Sequence, residues 1–269
     1  MSSVAAPARA PSRLRVGAAG AAGAVVLPTL AILALLAAWW LLKLAFGWKT
    51  FILPSPWEVA REVWRQRSYL PHELGVTLVE TLEGYALAIA AGTLLAVLIA
   101  ASRALDRALT PVLVAINAVP KVAIAPILVL WMGFGQGPKV VMVFLVCFFP
   151  IVIATATGLQ ATPSDLLELV RSLSASRTQV FVKVRFPAAL PYVFVGLKTA
   201  ISLAVIGAVI GEFVGASHGL GYVITASGAS ANTPVAFAAI VLLGALSLAL
   251  FYLLVLAERL LVPWARHER

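Results

Sequence analysis

The chain has 269 residues, of which 62% are hydrophobic and only 12% are charged, and its mean hydropathy is +1.01. A single globular core could not bury this much apolar surface, so the composition excludes an ordinary soluble domain and predicts an all-α polytopic membrane protein. The formal net charge of +9 does not indicate nucleic-acid binding, because no segment has the composition of a soluble basic domain; it fits loops that face the cytoplasm and anionic membrane lipids.

The N-terminal segment is rich in Ala, Gly, Pro and Arg, and we interpret residues 1–23 as a disordered cytoplasmic tail. The apolar run that follows, at about 25–46, is longer than the roughly 7–15 residues of a signal-peptide core. We therefore expect a retained first span rather than a cleaved signal peptide. Residues 24–262 are predicted to form the membrane domain, and residues 263–269 a short cytoplasmic tail.

Six apolar runs are long enough to cross a bilayer, because each crossing takes about 20 helical residues. They lie at about 25–46, 84–101, 109–132, 140–158, 188–211 and 235–257. With the N-terminus inside, twelve of the 20 lysines and arginines fall in inner segments and five in outer segments. This asymmetry predicts that both termini are cytoplasmic.

An additional helix is predicted between the first two spans. The segment Ser55–Glu58 has an N-cap residue, a proline at the first helical position and a carboxylate that closes a capping box. Trp57 and Trp64 share one face of this helix. We expect an amphipathic helix at the outer interface, where indole rings prefer to lie.

Rows of small residues at four-residue spacing mark the second and fifth spans. The rows are Gly84, Ala88, Gly92, Ala96 and Ala100 in the second span, and Gly196, Ala200, Ala204 and Ala208 in the fifth. Such rows let helix backbones approach closely. They predict tight packing, and we expect them to supply the contact surfaces of a homodimer.

The third span contains a lysine between two prolines. Pro120 and Pro126 each lack a backbone N–H donor, so they are expected to kink the helix. Lys121 then has two alternative roles: its charge lines a polar path that helps an anion cross, or its ammonium group bonds to a backbone carbonyl released by the prolines. Asn117, one turn earlier, is assigned to the same lining.

A carboxylate lies at the end of the fifth span. Glu212 follows Gly207, Ala208 and Gly211, so the helix has only small side chains next to the carboxylate. One interpretation is a solvated glutamate at the membrane interface, and the other is a gate or a contact between parts of the molecule. The sequence leaves both open.

The inner loop at 161–187 has the signature of two short helices. Thr162–Asp165 is a capping box with proline at the first helical position, and Ser176–Gln179 is a second box. The apolar stripe of the first helix consists of Leu166, Leu169, Val170 and Leu173. Phe186 and Pro187 are expected to end the second helix at the membrane. Such a loop either docks onto another protein or packs against its own bundle.

Three segments of this region resemble the coupling loop of binding-protein-dependent ABC importer permeases. They are Glu168–Ser176, Val184–Pro191 and Gly196–Leu197. The family pattern is Glu-Ala-Ala, then a glycine, then a Leu-Pro pair. Here Leu169 and Val170 replace the alanines, and a serine, Ser174, stands where the tight turn has its glycine.

Further segments resemble the nitrate, sulfonate and taurine branch of these permeases, and the likeness covers about 54–262. They are Pro120–Ile127, Leu130–Gly135, Phe148–Pro150 with Gly158, and Gly211–Glu212 with Gly219–Tyr222. The resemblance implies a type I ABC importer permease fold with six transmembrane helices in the bacterial inner membrane. The domain at 24–262 would then be the permease domain.

The resemblance also implies partners. The helix around Glu168 would insert into a groove on a cytoplasmic ATPase dimer, a second copy of the chain would complete the path, and a periplasmic or lipid-anchored binding protein would deliver the solute. ATP and magnesium would belong to the ATPase, and this chain would carry no cofactor. The residues assigned to coupling are Glu168, Leu169, Val170, Leu173, Ser174, Ala175, Phe186 and Pro187. Those assigned to the path are Asn117, Pro120, Lys121, Pro126 and Glu212.

The chain is not expected to be an enzyme, since it has no metal-binding spacing, phosphate-binding glycine loop or pair of catalytic acids. A secondary transporter or channel is the alternative from another class. We disfavour it because ion-coupled carriers usually place carboxylates within their spans, and the predicted spans contain none apart from Glu212 at one edge. The family branch implies a small anion such as a sulfonate, taurine or nitrate, with a compact organic solute similar to a pyrimidine precursor as the alternative.

Overall fold

A computed structural model describes residues 18–264, and every regular element in that range is helical. The first helices are α1 (Ala18–Phe46), α2 (Pro56–Arg65), α3 (Leu70–Ala101), α4 (Arg103–Ala118), α5 (Lys121–Met132) and α6 (Gly137–Gln160). They are followed by α7 (Ser164–Ser172), α8 (Arg177–Val180), a π-helical turn (Phe181–Arg185), α9 (Phe186–Gly215), α10 (Leu220–Ala229) and α11 (Thr233–Leu261). Most of the two predicted tails, residues 1–17 and 265–269, lies outside the described residues.

Five stretches are long and apolar enough to cross a membrane: α1, α3, α6, the continuous helix Arg177–Gly215, and α11. Helices α4 and α5 pass the same test only as a pair, with a bend of 86° between them, so the described residues contain five candidate spans, or six if the bent pair is counted as one. The predicted all-α polytopic fold is therefore confirmed. The largest difference from the predicted boundaries is at α3, which begins at Leu70 rather than at 84, and α1 begins inside the predicted tail.

The core consists of α6 packed between α3 and α9. A Cβ atom added to Gly84 would lie 2.5 Å from the Val143 side chain, and one added to Gly92 would lie 3.1 Å from the Ile151 side chain. Only glycine lets the two backbones come this close. Between these two contacts the residue numbers increase on both helices, so α3 runs parallel to α6.

Helix α9 packs on α6 in the opposite direction. A Cβ atom on Gly196 would lie 2.5 Å from that of Ala154, and one on Gly211 would lie 2.9 Å from the Cα atom of Lys139. The row alanines that are fully buried within this one chain are Ala88, Ala96, Ala200, Ala204 and Ala208. The expectation that these rows form the surface of a homodimer is therefore wrong, because helices of the same chain already occupy them.

The third predicted span is broken rather than merely kinked. Helix α4 ends at Ala118 and α5 begins at Lys121, with Pro120 as its N-cap. The Lys121 Nζ atom donates to the backbone oxygen of Asn117 at 3.2 Å and to its Oδ1 atom at 2.7 Å. This bond to a carbonyl at the proline break is one of the two roles left open for the lysine, and the other, a lining of the path, stays a prediction.

The predicted amphipathic helix is confirmed as α2. The Ser55 Oγ atom accepts from the Glu58 N–H at 3.3 Å, and the Glu58 carboxylate accepts from the Ser55 N–H at 2.6 Å, which completes the capping box. Trp57 and Trp64 are exposed, whereas Val59 is buried. Helix α2 therefore presents both indole rings outward and anchors itself by one aliphatic side chain.

Candidate functional site

The helix directions separate the core into two ends. One end, called the polar end, contains the starts of α3, α6 and α10 and the final turns of α9. The other, called the loop end, contains the loop at 161–187 between α6 and α9. The residues predicted to couple and the buried charges of the chain therefore lie on opposite sides of the bundle.

The loop contains two helices joined by a tight turn, as predicted. Ser174 adopts the left-handed conformation with φ of 58°, and the Ala175 N–H donates to the Val170 carbonyl at 3.3 Å to close the turn. The second capping box is confirmed, because the Ser176 N–H donates to Gln179 at 2.8 Å and the Gln179 N–H donates back to the Ser176 hydroxyl at 3.2 Å. The turn thus forms at a serine, although glycine adopts this conformation with less strain.

The first predicted capping box is wrong. Helix α7 begins at Ser164, and the buried Thr162 Oγ1 atom has no hydrogen-bond partner among the described residues. Burial of the Thr162 side chain takes its hydroxyl out of reach of the N–H groups at the helix start. The carbonyl of Pro163 instead begins the helical hydrogen bonding by accepting from the Leu167 N–H at 3.2 Å.

Phe186 and Pro187 do not end the second helix, contrary to the prediction. The chain passes from α8 through the π-helical turn directly into α9, so the loop and the fifth span form one helix, Arg177–Gly215. Pro187 follows the π turn, where the hydrogen-bond register changes from five residues to four. A proline is tolerated there because that change already removes one regular bond from the ladder.

Much of the apolar stripe of the loop is left uncovered by the described residues 18–264. Leu173 is 74% exposed and Leu169 is 57% exposed, and both lie outside the stretches that could enter lipid. Among the other residues assigned to coupling, Glu168, Ser174 and Phe186 are exposed, and Val170, Ala175 and Pro187 are half-buried. Of the two interpretations, packing against its own bundle is not seen for Leu169 and Leu173 among the described residues. An uncovered apolar stripe of this kind marks an interaction surface.

The polar end contains a cluster of buried polar side chains. Its members, called the polar cluster, are Glu73, Thr77, Glu80, Lys139 and Glu212, each at most 6% exposed. Buried charges are retained only when they are paired or hydrogen-bonded. The partners of each group therefore determine what the cluster does.

Glu212 connects three helices. Its Oε1 atom accepts from the Thr77 hydroxyl on α3 at 2.7 Å, and its Oε2 atom accepts from the Gly221 N–H on α10 at 2.6 Å. The Leu220 N–H donates to the Thr77 hydroxyl at 2.9 Å. The interpretation of Glu212 as a solvated interfacial residue is wrong, because the carboxylate satisfies the N–H groups at the start of α10. The alternative, a contact between parts of the molecule, is the one observed.

The start of α10 is built around these carboxylates. The Gly219 N–H donates to Glu73 Oε2 at 2.6 Å, and Gly219 has φ of 103°. A Cβ atom on Gly219 would overlap the Glu212 carboxylate, and one on Gly221 would lie 2.6 Å from Glu212 Oε2. Both positions therefore require glycine, because a side chain at either one would collide with the Glu212 carboxylate.

An ion pair completes the cluster. Lys139 Nζ lies 2.5 Å from Glu80 Oε1, and both side chains are buried. The second oxygen of Glu80 has no hydrogen-bond partner among the described residues. The statement that the spans lack carboxylates apart from Glu212 is therefore wrong, since Glu73 and Glu80 lie within the membrane helix α3. Their spacing with Thr77, at i, i+4 and i+7 on one helix face, was the signal that could have identified them.

A cavity of about 500 Å³ lies beside the cluster. Lys139, Glu212, Tyr222 and Thr225 contribute its polar lining, and Phe134 and Phe213 contribute aromatic surface. This volume lies within the usual range of small-molecule sites, about 300–1,000 Å³. Of the residues assigned to the path, Glu212 lines this cavity, whereas Asn117, Pro120, Lys121 and Pro126 do not.

Comparison with known proteins gives a family match and several relatives that are all named as transport permeases. The family described as binding-protein-dependent transport system inner membrane component matches residues 88–267. A probable ABC transporter permease of Haemophilus influenzae is 38% identical, over 81% of this chain and 89% of the relative. The riboflavin transport system permease of Chloroflexus aurantiacus is 39% identical over 81% of this chain and 82% of the relative, and the formylaminopyrimidine transport permease of Halalkalibacterium halodurans is 36% identical over 81% and 88%.

The predicted family branch is also represented among the relatives. An aliphatic sulfonate transport permease of Bacillus subtilis is 30% identical over 71% of this chain and 69% of the relative, and the taurine permease of Escherichia coli is 27% identical over 85% and 86%. Among solved structures, a chain of the inward-facing MetNI methionine ABC transporter matches with a TM-score of 0.56 and 23% identity, over 77% of this chain and 96% of that chain. The structural match supports the type I importer fold.

Proposed function

The chain belongs to the family of binding-protein-dependent transport system inner membrane components, and we propose that it serves an ATP-driven importer of a compact nitrogen-containing heterocycle. Its role as an ABC importer permease rests on the family match and on the relatives, all of which are named as permeases. The observation that carries the mechanism is the loop of two helices with its uncovered apolar stripe. Membership of this family favours an ATP-driven importer over a secondary transporter, although buried carboxylates are present in the spans.

The loop end is proposed to bind a cytoplasmic ATPase dimer. Lys198, in the first half of α9, pairs at 2.8 Å with Glu258, near the end of α11, which supports an end of α11 on the same side as the loop. Helix α1 contacts α2 near its own end, through Lys43 and Glu58, and its start therefore points toward the loop side. This arrangement supports cytoplasmic termini in the bacterial inner membrane. ATP and magnesium would be held by the ATPase, and no chemical step is assigned to this chain.

The polar end is proposed to receive the solute from a periplasmic or lipid-anchored binding protein. The cavity beside Glu212 opens at this end and combines aromatic surface with hydrogen-bonding groups. A second copy of the chain is proposed to complete the path. Exposed apolar side chains on and after α5 support such a contact, because Leu130, Trp131 and Phe134 are each at least 75% exposed.

A nitrogen heterocycle is favoured over an oxyanion by the charges of the polar cluster. The groups near the cavity include two carboxyl groups, Glu80 and Glu212, but only one ammonium group. That group, Lys139, is already paired with Glu80. An anion would lose hydration there without gaining a free cation. A nitrogen heterocycle could stack on Phe134 or Phe213 and form hydrogen bonds with Tyr222 and Thr225, which line the same cavity. The relatives named for riboflavin and formylaminopyrimidine transport are also more similar, at 36–39% identity, than the sulfonate, nitrate and taurine permeases, at 27–33%.

A sulfonate, taurine or nitrate importer is the second candidate. The relatives named for these solutes support it, and Lys121 is the cation first assigned to the path. The Lys121 ammonium group is instead held by Asn117 at 2.7 Å, which weakens this candidate.

Uptake by cells that contain the complete transporter tests the proposal. Radiolabelled riboflavin, formylaminopyrimidine, taurine and nitrate are offered separately, with and without depletion of ATP. We expect ATP-dependent uptake of one of the two heterocycles and copurification of an ATPase with the chain. Uptake of taurine or nitrate alone would overturn the heterocycle importer in favour of the second candidate. A chain that transports without any ATPase would contradict both candidate functions.

A further inference from the structure

Three metal-binding side chains meet at the polar end, where α3 lies against the segment between α9 and α10. His72 and Glu73 are adjacent in the first turn of α3, and His218 precedes α10. The Nδ1 atoms of His72 and His218 lie 3.2 and 3.3 Å from the Oε1 atom of Glu73. All three ligand atoms lie within 4.8 Å of one another. The two histidine rings do not line the cavity beside Glu212.

We propose that His72, Glu73 and His218 bind a divalent transition metal ion of the zinc type. Two imidazole nitrogens and one carboxylate oxygen are a ligand set that zinc uses, with bonds of about 2.0–2.2 Å. A tetrahedral centre with such bonds places neighbouring ligand atoms about 3.3–3.6 Å apart. The two separations between histidine nitrogen and glutamate oxygen are close to this spacing, so small rotations of the exposed rings complete the site.

The carboxylate is oriented before any metal arrives. Glu73 is 2% exposed, and its Oε2 atom is occupied by the Gly219 N–H at 2.6 Å. This bond leaves Oε1 directed toward the two rings, as outer hydrogen bonds do for carboxylate ligands in metal sites. The side chains of His72 and His218 are 65% and 59% exposed. A metal ion can therefore enter from solvent, and its fourth position stays open to water.

The histidines can become ligands without a change of backbone. Each neutral imidazole carries one proton, and its position on Nδ1 or Nε2 depends on the hydrogen bonds available. With the proton on Nε2, the Nδ1 lone pair is free for the metal. The bound ion would join the start of α3 to the segment before α10, and would therefore hold α10 against α3.

Zinc titration of the purified full-length chain with its copurifying ATPase, in lipid nanodiscs and without a polyhistidine tag, tests the site. A competing fluorescent chelator reports the affinity. We expect one zinc ion per chain, and a loss of affinity of at least about tenfold in His72→Ala and in His218→Ala, since even outer-shell substitutions cost that much. The matched control is His267→Ala, the remaining histidine of the sequence, which should bind zinc like the unchanged chain.

A second variant keeps the test decisive if an alanine variant folds poorly. His218→Cys replaces an imidazole by a thiolate, which is also a zinc ligand, and should retain binding that His218→Ala loses. Zinc should also raise the unfolding temperature of the unchanged chain and of His218→Cys, but not of His218→Ala. The proposal is overturned if the unchanged chain binds no zinc, or if both alanine variants bind it as tightly as the unchanged chain. Neither result bears on uptake of the heterocycle, so this inference and the proposed function fail independently.

Discussion

The Glu212 carboxylate accepts a hydrogen bond of 2.7 Å from Thr77, a residue 135 positions earlier in the chain. The bond joins the last turns of α9 to α3, and the same threonine oxygen accepts the Leu220 N–H of α10. One hydroxyl group therefore satisfies two partners on two other helices.

Thr77→Val should destabilise the chain. The substitution keeps the shape but leaves a Glu212 oxygen without its donor and the Leu220 N–H without an acceptor, at a cost of about 1–3 kcal/mol for each buried group. Thermal unfolding in nanodiscs measures the effect. Thr199→Val is the control, because this exposed threonine donates only to the Val195 carbonyl of its own helix; equal unfolding temperatures for both variants would contradict the role of Thr77.

Gly221→Ala should impair the start of α10. The new Cβ atom would lie 2.6 Å from Glu212 Oε2, so the carboxylate must move and release the Gly221 N–H. We expect a loss of about 1–3 kcal/mol, typical of overpacking, and reduced uptake. Gly244→Ala is the matched control, because nothing lies within 4 Å of its added Cβ atom. A Gly221→Ala chain as stable as Gly244→Ala would mean that the close contact is not required.

Lys139→Met should destabilise the folded chain more than the removal of both charges of its ion pair does. The single change leaves the Glu80 carboxylate buried without its cation, which costs about 3–5 kcal/mol. Glu80→Gln combined with Lys139→Met removes both charges and should recover most of that loss. Unfolding temperature and the yield of folded protein measure both variants. A double variant no better than the single one would show that the lysine acts apart from Glu80.

Leu173→Asp and Glu168→Lys should uncouple the loop from the ATPase without unfolding the bundle. Both side chains are exposed, so the bundle loses no buried contact, whereas a charge placed in a docking contact costs several kcal/mol. We expect loss of ATPase copurification and a fall in uptake of at least about tenfold. Arg65→Ala on α2 is the control and should have nearly normal uptake. Normal copurification in both loop variants would exclude this loop as the docking surface.

The contact between Glu58 and Lys43 should make stability depend on pH. Burial raises the pKa of Glu58, but hydrogen bonds from Lys43, the Ser55 N–H and Thr50 outweigh it and lower the pKa to about 2, from an ordinary value of 4.5. A lowered pKa stabilises the folded chain above about pH 4.5, and this contribution is lost as the pH falls toward 2. Comparison of unfolding temperatures at pH 7 and pH 3 should therefore show a larger loss for the unchanged chain than for Glu58→Gln. Equal losses would contradict this ion pair.

Local signals in the sequence predicted local structure correctly. The capping boxes at Ser55 and Ser176 form, because each needs only residues within one helical turn. The break at Pro120 also follows from a missing N–H at a known position. The box at Thr162 fails because contacts with the bundle bury that side chain, and no local pattern reports them.

The partners within the polar cluster could not be predicted in the same way. An apolar run defined the second span as 84–101, yet the helix begins at Leu70, because Glu73 and Glu80 find their partners 146 and 59 residues further along the chain, respectively. Hydropathy treats each carboxylate as exposed to lipid or water. Only the fold brings Lys139 and Gly219 to them and makes burial within a span possible.

The continuous helix from the π turn to the polar cluster has a mechanical consequence. Arg177–Gly215 comprises 39 residues, which corresponds to a rod of roughly 58 Å at the helical rise. A tilt of only a few degrees imposed on α8 would displace the Glu212 carboxylate by several ångströms, more than the length of its bonds to Thr77 and Gly221. Movement imposed at the loop would therefore reach the contacts of Glu212 with α3 and α10 through one continuous helix.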